Sequence, residues 1–70
     1  MTVYTLHHKA NDSDWYHIFK NKGDALRSLK KLLKEYRDDN IILQLNDFYN
    51  DYYFNELHEV YIYIIDDKVY

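Results

Sequence analysis

The sequence predicts an α+β fold: a small antiparallel sheet of three or four strands with one long amphipathic helix packed on one face. The expected order is a β-hairpin, a long helix, a short helix or strand, and a C-terminal strand. Three observations carry this. Residues 2–19 alternate apolar and polar side chains on either side of a polar turn. Residues 25–36 carry leucines at helical spacing, and residues 59–65 alternate again.

In the first segment, Val3 and Thr5 share one face and Tyr4 and Leu6 the other. Asn11-Asp12-Ser13-Asp14 is a turn cluster whose side chains bond readily to their own backbone. Trp15, His17 and Phe19 then point one way, Tyr16 and Ile18 the other, so the two runs read as a hairpin. Asn21-Lys22-Gly23-Asp24 breaks the strand, with Asp24 as the expected N-cap. Leu26, Leu29, Leu33 and Tyr36 follow at i, i+3, i+7 and i+10, which stacks them on one helix face, and Leu32 widens the stripe. Asp38-Asp39-Asn40 ends the helix. Ile41-Ile42-Leu43-Gln44-Leu45 reads as a short strand or an apolar linker. From Asn46, the band Phe48, Tyr49, Tyr52 and Tyr53 favours a short helix over about residues 46–54, although the same residues would serve as an aromatic strand. The last run places Val60, Ile62 and Ile64 inward and Tyr61, Tyr63 and Ile65 outward, with Asp66-Asp67 as its terminator.

Seventy residues make one domain, 1–70, and a chain of that length buries only about 60% of its unfolded surface. With no Cys, neither disulfides nor a thiolate metal knot can reinforce it. Aromatic bulk or self-association must do so. No run approaches the ~20 apolar residues of a membrane helix, and residues 1–8 have no signal-peptide core, so the expectation is a cytoplasmic protein without membrane contact. The lone Gly rules out glycine-rich phosphate loops. Ser13 and Ser28 have no triad partners in evident reach, and no carboxylate pair has a defined separation. Neither catalysis nor a cofactor is expected.

Charge is distributed unevenly. Residues 1–37 hold eight Lys/Arg against four Asp/Glu, whereas residues 38–70 hold eight Asp/Glu against Lys68 alone. Six of the nine tyrosines lie in the acidic half. The expected partner-binding residues are therefore Asp47, Tyr49, Asp51, Tyr52, Tyr53, Glu56, Glu59, Tyr61, Tyr63, Asp66 and Asp67. Tyrosine gives rigid contact area at small entropic cost. Carboxylates around it can imitate nucleic-acid phosphates or meet a basic groove. Because one helix cannot cover both faces of a sheet, Tyr61 and Tyr63 are covered either by residues 46–54 or by another molecule. If the C-terminal strand is an edge, its free backbone groups also suit a homodimer.

Two further constellations compete. Arg27, Lys30, Lys31 and Lys34 share the helix face opposite the leucines, with Arg37 at its border. They suit a nucleic-acid backbone, with Trp15 or Tyr16 stacking on bases, or simply a solvated face. His7 and His17 would face each other across the hairpin if the register pairs them, but with His8 and His58 elsewhere no metal site is expected. Asp47-Phe48-Tyr49-Asn50-Asp51 resembles acidic, aromatic strings in small phage-encoded inhibitors of CRISPR nucleases; the likeness spans those five residues and assigns no family. The functional expectation is a phage or mobile-element inhibitor that occludes a host defence or nucleic-acid-processing protein. The alternatives are a nucleic-acid-binding module, and a structural homodimer or accessory subunit.

Overall fold

Strand β1 (Thr2–Ala10) and strand β2 (Ser13–Phe19) form the expected hairpin in the computed structural model, which describes residues 1–68. The turn is only Asn11-Asp12; Ser13 and Asp14 already belong to β2, and Asp14 Oδ1 accepts the Ala10 N–H at 3.2 Å. Helix α1 (Lys22–Asp38) begins one turn earlier than the leucine stripe implies. Its N-cap is Asn21, not Asp24. The Asn21 side chain accepts the Gly23 N–H at 2.7 Å, and a Cβ on Gly23 would lie only 3.1 Å from that oxygen. Asp24 instead occupies the first turn, where it favours the helix dipole and pairs with Arg27.

The helix ends in a Schellman motif. Asn40 takes a left-handed conformation (φ 64°), its N–H reaches Arg37 O at 2.9 Å, and the Ile41 N–H reaches Tyr36 O at 2.9 Å. Ile41–Leu43 is a linker into a two-residue strand, β3 (Gln44–Leu45). Strands β4 (Tyr52–Asn55) and β5 (Val60–Lys68) complete the chain, so β5 continues through Asp66-Asp67 instead of stopping there.

The sheet has five strands in the order β2-β1-β5-β4-β3, all antiparallel, one more than the sequence suggests. The difference lies in residues 46–54, which form no helix. Asn46 does accept the N–H groups of Phe48 (2.7 Å) and Tyr49 (3.1 Å), as a helix cap would. The turn then closes: Asp51 adopts φ 57° and the Asn46 N–H donates to Tyr52 O at 2.8 Å. Tyr52, Tyr53 and Phe54 gain more as strand residues beside β5 than as a helical band that would have to bury Phe48, which is 90% exposed.

β5 therefore lies inside the sheet, between β1 and β4, and has no free edge. A dimer formed through the edge of this strand is excluded. Its run Val60-Tyr61-Ile62-Tyr63-Ile64-Ile65 suits a strand flanked on both sides. Val60 and Ile62 join Leu6 and Leu29 in the core, with Leu26, Leu33, Tyr36, Leu43 and Tyr53 packed around them. Ile62 is completely buried. Because the packing there leaves no room to relax, Ile62→Val should lower unfolding free energy by about 1 kcal/mol. Chemical denaturation with an unchanged m-value is the check.

Candidate partner-binding surface

The register sorts every strand side chain onto one of two faces. The helix side carries Leu6, His8, Trp15, His17, Phe19, Tyr53, Val60, Ile62 and Ile64. The opposite side carries Thr5, His7, Tyr16, Ile18, Tyr52, Phe54, Tyr61, Tyr63 and Ile65. Among the described residues, α1 is the only element that packs on the sheet, and it lies on the Leu6–Ile62 side. The second face stays open.

Across that face runs a ladder of rings. Tyr16 lies 6.1 Å from His7, His7 stacks on Tyr63 at 4.9 Å, Tyr63 stacks on Tyr52 at 5.0 Å, and Tyr52 lies 6.0 Å from Tyr49. The ladder thus crosses β2, β1, β5 and β4 and ends in the β3–β4 loop. Cross-strand stacking of this kind holds each ring in place before any partner arrives. Its ends are the most exposed, Tyr16 at 66% and Tyr49 at 67%. To one side, Ile18 and Ile65 flank the buried Thr5; to the other, Phe54 and Tyr61 pair across β4 and β5. Tyr49, Asn50, Tyr52, Tyr63 and Ile65 line a pocket at the loop end.

The residues singled out in the acidic half are divided by this geometry. Tyr49, Tyr52, Tyr61 and Tyr63 share the open face, whereas Tyr53 packs into the core beneath the helix. Asp47 and Asp51 lie in the β3–β4 loop, and Asp51 O accepts the Ile64 N–H at 3.2 Å, which puts this loop at the same end of the sheet as Asp66 and Asp67. Glu56 and Glu59 lie at the other end, in the β4–β5 turn, where Glu59 adopts φ 54°. Four carboxylates therefore lie at one end of the sheet, with Asp66 on the helix side and Asp67 on the open side, and two lie at the other end.

The basic helix residues lie on the far side of the molecule from the open face, and they too are divided. Arg27 is paired with Asp24, Lys31 lines a groove beside β2, and Lys30 and Lys34 join Arg37 along the groove formed with Ile41–Leu43. Trp15 faces the helix while Tyr16 faces away, so of the two rings only Trp15 lies on the side of the basic helix. His7 is opposite Tyr16, and His17 is opposite Leu6; the two histidines point to opposite faces and do not meet. Among the described residues, no three His, Asp or Glu side chains converge in a metal-binding group. Among the described residues, no helix is long and apolar enough to cross a membrane.

His7, Ile18 and Ile65 belong to the surface but are not among the residues expected to bind, and Tyr16 is expected there only as a ring that stacks on bases. The alternation of residues 15–19 already put Tyr16 and Ile18 on one side; the β1–β2 register adds His7 to that side, and the β1–β5 register joins it to Tyr63. His8, by contrast, is a core residue, 5% exposed. Its ring stacks between Trp15 (4.8 Å) and Tyr36 (5.8 Å), its Nε2 shares a hydrogen bond with the Tyr36 hydroxyl, and its Nδ1 is buried without a hydrogen-bond partner.

Comparison with protein-family models, curated proteins and solved structures gave no match.

Burial raises the Tyr36 pKa above its usual value, and the neighbouring Glu35 carboxylate adds to the rise. In the unfolded chain the phenol ionises first, so the unfolded state binds fewer protons at alkaline pH. The stabilisation is therefore full below about pH 10 and is lost as pH climbs toward the raised folded value. Tyr36→Phe should cost about 1–3 kcal/mol at neutral pH, because it leaves His8 Nε2 buried and unpaired. The same variant should lose less stability than the parent above pH 10. Urea melts of both proteins at neutral and alkaline pH are the measurement.

Proposed function

We propose that the chain is a non-catalytic binding protein that occludes a protein partner through the open face of its sheet. The observation that carries this is the continuous ladder Tyr16–His7–Tyr63–Tyr52–Tyr49 on a face that no described element covers. Large rigid rings already held by their neighbours lose little freedom when a partner covers them. The carboxylates of Asp47, Asp51 and Asp67 at one end of this face, with Asp66 behind them on the helix side, favour a basic partner surface, of the sort that otherwise holds nucleic acid. On this reading the chain imitates nucleic acid with its acidic end and anchors with its rings. A phage or mobile-element inhibitor of a host defence or nucleic-acid-processing protein fits that chemistry, in keeping with the small size and the net charge of −3.

A second reading is a nucleic-acid-binding module on the opposite side, favoured by the convergence of Lys30, Lys34 and Arg37 on one groove. It would use neither the ladder nor the acidic end.

Pull-down from bacterial lysate with and without nuclease separates the two. The inhibitor reading expects a stoichiometric, nuclease-resistant protein whose capture is lost in Tyr49→Ala combined with Asp47→Asn, Asp51→Asn and Asp67→Asn, and kept in K30E/K34E. Tyr49 is well exposed and the aspartates lie in the loop or at the strand end, so the fold should be retained, as far-UV circular dichroism can check. Nucleic acid recovered without protein, and lost in K30E/K34E, would establish the second reading instead.

A further inference from the structure

We infer that β2 is a self-association edge, through which two copies of this chain join their sheets by antiparallel pairing about a two-fold axis. The strand order leaves two edges, β3 and β2. Natural sheets guard their edges with short strands, Pro, Lys or bulges. β3 is guarded by its length of two residues. β2 has seven residues, pairs with β1 alone, contains neither Pro nor Lys, and leaves Trp15, Tyr16 and Ile18 exposed at 39%, 66% and 55%. One side of the sheet is closed to further strands and the other is prepared for one.

Charge selects the occupant. Asp12 and Asp14 stand at the start of β2, and Lys20 and Lys22 follow its end. Antiparallel pairing of β2 with a second β2 lays the acidic start of each beside the basic end of the other. Parallel pairing would set like charges together. With Tyr16 on the two-fold axis, Asp12 of each copy faces Lys20 of the other, Asp14 faces Ile18, and Trp15 faces His17. The opposed pairs are then complementary in charge at Asp12–Lys20 and aromatic at Trp15–His17 and Tyr16–Tyr16, while Ser13 faces Phe19 and Asp14 faces Ile18. On the helix side, a groove lined by Trp15, His17, Phe19, Lys31, Leu32 and Glu35 runs beside this edge, on the side where the Trp15 and His17 rings of the second copy would lie. On the other side, the two ladders meet at Tyr16 and become one aromatic face spanning eight strands, four from each chain. The interface uses the edge of the sheet and leaves the open face free, so it stands or falls independently of the partner reading.

Charge exchange tests the pairing. Within one chain Asp12 and Lys20 lie at opposite ends of β2, about 25 Å apart at ~3.3 Å per residue, so they cannot rescue each other intramolecularly. Sedimentation equilibrium from about 1 μM to about 500 μM should show a reversible monomer–dimer equilibrium in the parent chain. D12K alone and K20D alone each oppose like charges twice and should weaken the dimer at least about tenfold. The double variant D12K/K20D should restore it, and so should an equimolar mixture of the two single variants, as a heterodimer. Far-UV circular dichroism of each variant confirms the fold. A parent chain that stays monomeric throughout the range overturns the proposal and leaves the edge to a strand from another protein. A dimer that ignores both single substitutions, or that neither the double variant nor the mixture restores, also overturns it by placing the interface elsewhere.

Discussion

A helix covers only one face of a sheet, and in this molecule a single helix is packed against five strands. The consequence is a core on one side and an uncovered, largely aromatic surface on the other. β5 is the element on which both depend. Its neighbours β1 and β4 hold it by hydrogen bonds along both edges, Val60 and Ile62 supply buried volume beneath α1, and Tyr61 and Tyr63 supply rings above. The strand order that brings the first and last strands together in the sheet interior also brings His7 beside Tyr63, which turns three separate aromatic stretches of sequence into one ladder.

The aromatic side chains divide their work by face. Tyr36 and Tyr53 fill the core, where the small chain has few large aliphatic residues and no covalent reinforcement. Tyr36 also satisfies one nitrogen of His8, a polar ring placed among apolar neighbours where an unpaired group is costly. Tyr16, Tyr49, Tyr52 and Tyr63 carry no such duty and stack on one another and on His7 in the open. The proposed recognition role of the open face rests on that distinction.

The linear segregation of charge does not survive folding as two charged halves. Asp47, Asp51, Asp66 and Asp67 lie at one end of the sheet because the β3–β4 loop returns beside β5, with Asp66 on the helix side, while Glu56 and Glu59 are carried to the opposite end by the β4–β5 turn. The lysines of α1 are distributed between two grooves. What remains coherent is local: acid beside one end of the ladder, and an acid-to-base gradient along β2. Each of the two binding surfaces proposed above rests on one of these.

The sequence by itself determined the hairpin, the helix and the orientation of β5, because these depend on local periodicity: Leu26, Leu29 and Leu33 at helical spacing, Val60, Ile62 and Ile64 at strand spacing. It also determined that the one long helix could cover only one face of the sheet, which left the Tyr61–Tyr63 face to residues 46–54 or to another molecule. Tertiary structure decided the rest. Residues 46–54 carry a cap and an aromatic band that satisfy a helix as well as a strand, and only the free edge of β5 resolves the ambiguity, by offering Tyr52–Asn55 a backbone ladder. The register of β1 on β2 separated His7 from His17, and the register of β1 on β5 built the ladder. Periodicity fixes which way a side chain points along its own strand. Which strand lies beside it is set by hydrogen bonds between residues distant in sequence, and no local pattern encodes those.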